Sequence, residues 1–220
     1  MGTITRTFAN NITTSGVFKP TAFNNASFDN VTAVPEGAVT GGNMVLLSTQ
    51  TASSSASISF TTGITSTYKE YMFIFNNIHP QTDFVDFTFN LSTDNGSNYN
   101  VTKTSTFFRA FHTEDGVTSA TLQYYAPSDL AQSTSDQILC QAGGNANDEG
   151  VSGFLHIFNP SDTTFVKHFI GKGLTSSLNE THQQFHIAGY GNTTSAVNAI
   201  RFQMDSGNID NGTIQMFGIL

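Results

Sequence analysis

"FVDFTFNLSTDNGSNYNV", Phe84 to Val101, holds the clearest period in the chain. Val85, Phe87, Phe89 and Leu91 fall on one parity and Asp86, Thr88 and Asn90 on the other, which predicts a half-buried β-strand. The polar cluster that follows predicts a turn. A three-residue loop with Asp94 and Asn95 helical and Gly96 left-handed would pair Leu91 with Tyr99 and Phe89 with Val101, keeping apolar residues on one face. In that reading Asp94, Asn95 and Gly96 are structural: the carboxylate accepts backbone N–H groups and the glycine takes a positive φ without a Cβ penalty.

The same kind of segment recurs outward in both directions. "MVLLST", "ASISF", "KEYMFIFNNIH", "YNVTKTSTFFRAFH", "ATLQYYA", "DQILCQA", "GFLHIFN", "TTFVKHFIGKG", "QQFHIAGY", "AIRFQMD" and "GTIQMFGIL" are further strand candidates, separated by Ser, Thr, Asn and Gly. "KEYMFIFNNIH" is apolar on both parities and is expected as a central strand covered on both faces. In "AIRFQMD", Ile200, Phe202 and Met204 should face the core, with Arg201 and Gln203 toward water. About one strand per dozen residues predicts an all-β fold, an antiparallel two-sheet sandwich of jelly-roll-like type.

This head is expected over residues 43–220. Residues 1–42 differ in character, spacing single apolar residues (Phe8, Phe18, Phe23 and Phe28 among them) between small polar ones. Such spacing builds no core of its own, so these phenylalanines read as an attachment and oligomerisation arm.

Composition narrows the function. Lys and Arg total 8 against 16 Asp and Glu, for a net charge of -8, and no basic cluster is present, which argues against nucleic acid as a partner. No run approaches the length of a membrane span, and the N-terminus has no apolar signal core, so neither membrane insertion nor export by a cleaved signal is expected. The single cysteine, Cys140, reads as a buried small hydrophobe.

His182 and His186 have a zinc-pair spacing only on a helix, and their segment reads as a strand. His156 and His168 alternate with apolar residues as sheet histidines do, while His79 and His112 lie at strand ends. Asp148 and Glu149 lack the EF-hand spacing and read as a solvated loop. No cofactor, metal or catalytic set is expected, and the chain reads as a non-enzyme. Tyr124 and Tyr125, beside the Pro127 turn, are the candidate receptor contacts: one ring is expected to point outward and the other into the core.

Four segments carry resemblances. Ser92 to Tyr99 resembles the Asp-box hairpin of sialidases, with Asn98 and Tyr99 departing from its usual residues; that hairpin is structural and implies no catalytic residue. "GVFKPTAFNNASFDNVTAVP", Gly16 to Pro35, resembles the short repeats of phage tail-fibre stalks, and "SGNIDNGTIQMFGIL", Ser206 to Leu220, is similar to the closing strand of small β domains in phage virion proteins. The stretch from Met44 to Asn100 also looks like marine tailed-phage virion structural proteins of the short tail-fibre or capsid-fibre and knob type. The resemblance implies a virion component assembled in the host cytoplasm, displayed on the particle and contacting a host surface glycan or protein. It also implies contacts with other virion proteins through the arm, and a homotrimer. The alternative is a capsid decoration or cement protein stabilising the shell; a glycan depolymerase ranks below both, because no carboxylate pair in a groove is visible.

Overall fold

The computed structural model describes residues 44–117, 120–177 and 180–220. The arm, with Phe8, Phe18, Phe23 and Phe28, lies outside the described residues. Twelve strands are present among the described residues, one for each apolar run: β1 (Met44–Thr51), β2 (Ile58–Phe60), β3 (Glu70–Pro80), β4 (Val85–Ser92), β5 (Lys103–Thr113), β6 (Ala120–Tyr124), β7 (Gln137–Gly143), β8 (Gly150–Phe158), β9 (Lys167–Ser177), β10 (Thr181–Gly191), β11 (Ala199–Met204) and β12 (Ile209–Ile219). A 3-10 turn, Ala126–Ser128, follows β6.

The strands form two antiparallel sheets that face each other. The larger runs β1-β12-β3-β8-β9-β10-β5-β6 and the smaller β2-β11-β4-β7. Their inner faces supply the core because alternate residues on each strand point inward. Phe202 of the small sheet meets Phe73 at 5.5 Å, Phe87 at 5.9 Å and Phe60 at 6.3 Å between ring centroids, while Phe75 meets Phe87 at 5.2 Å and Phe89 meets Phe169 at 5.2 Å. These offset and edge contacts are the arrangements aromatic rings prefer, and they bring the phenylalanines of both sheets into one layer.

Three local expectations need correction. β4 and β5 are not a hairpin: β4 pairs with β11 and β7, whereas β5 pairs with β10 and β6 in the other sheet. The turn between them carries the chain across the sandwich, so Leu91 has Ile200 as its ladder partner instead of Tyr99. Asn95 is left-handed along with Gly96, at φ 58° and 85°. Second, the polar parity of β4 is not solvated. Thr88 and Asn90 are buried, and Asn90 donates to Thr134 O at 3.0 Å and to the Asp136 carboxylate at 2.7 Å. Arg201 and Gln203 bind the same carboxylate, so they are half-buried instead of facing water. Third, β3 is fully covered only on its inner parity: Tyr71, Phe73, Phe75 and Ile78 are buried, whereas Met72 and Ile74 on the other parity are half-buried.

Two lysines are buried. Lys103 is 0 % exposed and donates its ammonium to Asn90 Oδ1 at 2.5 Å and Val101 O at 2.8 Å. Desolvation lowers its pKa from 10.5 to about 8, although the Asp136 charge opposes that shift. Lys167, equally buried, donates to Phe165 O and Thr193 O.

Candidate functional site

The Ser92–Tyr99 turn is a structural knot. Ser92 Oγ donates to Asp94 Oδ1 at 2.7 Å and accepts from the Gly96 N–H at 3.0 Å, while Asp94 also accepts from the Asn98 backbone at 2.8 Å and from its side-chain amide at 2.7 Å. These donors hold the Asp94 carboxyl down at about 2. The turn is tied to the neighbouring strand β11 and the residue before it: the Asn95 N–H donates to Asn198 Oδ1 at 2.9 Å, and the Arg201 guanidinium lies 4.8 Å from the centre of the Tyr99 ring. Every oxygen of Asp94 is thus occupied within the fold, as a turn former requires.

Tyr124 and Tyr125 diverge because successive strand residues point to opposite faces. Tyr124 is 51 % exposed on the outer face of the large sheet, against Phe108 at 5.2 Å, with its hydroxyl bonded to Asp129. Tyr125 is half-buried against the core near Phe107, and its ring lies 3.7 Å beneath the Arg109 guanidinium.

Around Tyr124 the outer face is unusually apolar. One row across the sheet runs Ile74, Phe154, Lys172, His186, Phe108, Tyr124; the next runs Leu46, Phe217, Met72, His156, Ile170, Ala188. Among the described residues, no strand or helix lies over it. The histidines divide on this geometry. His182 and His186 share the outward parity of β10, too extended to hold one ion, while His156 sits 3.0 Å from Glu70 and stacks on Phe158 at 4.3 Å. Among the described residues no cluster of His, Cys, Asp and Glu can hold a metal. Cys140 is fully buried, and desolvation pushes its thiol far above the ordinary range.

Two concavities open from the sheets. The larger, about 770 Å³, lies over a bulge at Asn76 and Asn77 of β3 and is lined by His79, Asp148, Glu149, His182 and Asp210. Its carboxylate at Glu149 is spent on the loop, accepting the Ala146 N–H at 2.7 Å, and His79 bonds Ala146 O at 2.9 Å. The smaller, about 450 Å³, lies where the inner face of β5 and β10 runs past the β7 edge; Phe84, Asp86, Arg109, Phe111 and Gln183 line it. Sequence reasoning missed these residues. One signal was present: Phe84 is the single apolar residue on the polar parity of its strand pattern. Comparison of the chain with protein-family models, with curated proteins and with solved structures finds no match.

Proposed function

We propose that the chain is a bacteriophage virion structural protein: a jelly-roll head displayed on the particle to contact the host surface, mounted through residues 1–42. The observation that supports this best is strand order. β1 to β4 alternate between the sheets, and the chain returns through β7, β8, β11 and β12, so that β12 lies beside β1, β11 beside β2, β8 beside β3 and β7 beside β4. Such nested wrapping is the jelly-roll plan of viral shell and lectin domains. The four remaining strands, β5, β6, β9 and β10, widen one sheet and form its β9-β10-β5-β6 end. On this reading the head binds and displays.

Gold-labelled antibody to the chain should decorate particles of the virus that encodes it, and labelling of host membranes or cytoplasm alone would refute the reading. The homotrimer belongs to the same proposal, and sedimentation as a monomer at micromolar concentration would remove it. A second reading, a decoration protein that locks shell subunits, draws support from the broad apolar outer face, which suits a flat contact with a neighbour. Particles lacking the chain would then burst at lower temperature while adsorbing normally.

A further inference from the structure

We infer that the groove between β5, β10 and the β7 edge is a saccharide subsite for a neutral, hydroxyl-rich sugar. Phe84 holds φ at 58°, a conformation that costs any bulky residue and suits glycine, yet its ring is 58 % exposed and packs into no core. An aromatic ring kept on a strained backbone without packing in return is explained by what it presents to the groove. Opposite Asp86 the β4–β7 ladder bulges, with Ala142 at φ 53°, so two non-glycine residues in the left-handed region line one site.

The polar groups are left ready in a matching way. Gln183 is only 7 % exposed, and its amide has no hydrogen-bond partner among the described residues, so both a donor and an acceptor are directed into the groove. Arg109 is held by neutral partners alone. Its Nη1 donates to Gln141 Oε1 at 3.1 Å, and Nε and Nη2 donate to the Gln123 carbonyl oxygen at 2.6 Å, which uses three of its five N–H groups. No carboxylate pairs with it among the described residues. Asp86 accepts the Ala142 N–H at 3.0 Å and is locked beside Asp205, whose carboxylate accepts the Asp86 N–H at 2.8 Å, leaving acceptor capacity on both.

Aromatic faces at Phe84 and Phe111, donors at Arg109 and Gln183 and acceptors at Asp86 and Asp205 complement a pyranose, which has an apolar C–H face and an edge of hydroxyls that both donate and accept. The volume suits one or two sugar units. Two carboxylates against one guanidinium disfavour an acidic sugar. The larger concavity offers no aromatic ring of this kind. The inference rests on the display reading only for where the sugar would be met; the groove itself is tested on the purified chain.

Saturation-transfer NMR and calorimetry with the methyl glycosides of glucose, galactose, mannose and N-acetylglucosamine should find at least one binding with a dissociation constant of millimolar order, as expected for so small a ligand. Glucuronic acid and N-acetylneuraminic acid should bind more weakly. Phe84→Gly should lose about tenfold in affinity or more while its melting temperature holds or rises, because the strain is relieved as the ring is lost. Gln183→Leu should lose affinity without unfolding. Absence of binding by every neutral glycoside, preference for the acidic sugars, or undiminished binding by both variants would overturn the assignment. If the glycoside binds the protein but fails to compete with particle adsorption, the groove stands and the display reading falls.

Discussion

Lys103 is the sharpest test of the packing, because its charge is buried against its own interest. The pKa falls from 10.5 in the unfolded chain to about 8 in the folded one. Between those values the unfolded chain holds more protons, so stability must rise with pH across that window. At about 1.4 kcal/mol per tenfold, the rise amounts to about 3 kcal/mol: the penalty is fully present below pH 8 and gone above pH 10.5. Urea unfolding of the native chain and of Lys103→Met at a series of pH values from 7 to beyond 10 isolates the effect. The variant also loses the bonds to Asn90 and Val101, so its absolute stability is not diagnostic; the difference in slope is. Groups common to both proteins cancel in the difference. The native chain should gain stability relative to the variant as pH rises through the window. Parallel curves would mean that the ammonium is solvated, and the account of this end of the sandwich would be wrong.

Three further outcomes follow from the same structure. Phe202→Ala should cost about 3–5 kcal/mol in chemical denaturation, since its ring touches Phe60, Phe73 and Phe87 across both sheets; a loss below about 1 kcal/mol would deny it a central place. Cys140 should resist iodoacetamide in the native state and react only as the chain unfolds, because its thiol is both buried and held protonated. Asp94 has its folded pKa depressed to about 2, so it stabilises the fold above the ordinary carboxylate range, a contribution lost as pH falls toward 2. Asp94→Ala should therefore be less stable at neutral pH and lose less between pH 4 and 2, with saccharide binding unchanged; acid unfolding followed by circular dichroism checks the slope.

Much of the architecture was legible because strand periodicity is a local property. All twelve apolar runs are strands, and the buried parities of β4 and β11 are those the alternation indicates, since a half-buried strand must place its apolar residues on alternate positions. That a turn falls at Asp94 to Gly96 was readable, because Asp, Asn and Gly carry turn chemistry in their own side chains and backbones, but its geometry was not: Asn95 is left-handed and Leu91 pairs with Ile200. One outward and one inward ring at Tyr124 and Tyr125 was expected from their place beside the Pro127 turn.

What faced the other parity, and which strand lay beside which, was decided by tertiary structure. A hairpin after Leu91 and a crossover to the opposite sheet begin with the same turn residues; only the competing partners, β11 and β7 for β4 and β10 for β5, select between them. Asn90 and Thr88 look like solvent-facing residues until the Thr134 and Asp136 segment is folded over them. The groove is the extreme case, since Phe84, Arg109, Gln141 and Gln183 come from four separate segments and converge only where a wide sheet overruns a narrow one. The chain alone determines that strands form and which of their faces are apolar, because those depend on neighbours in sequence. Burial of polar residues and the meeting of distant side chains depend on long-range pairing, which no local period encodes.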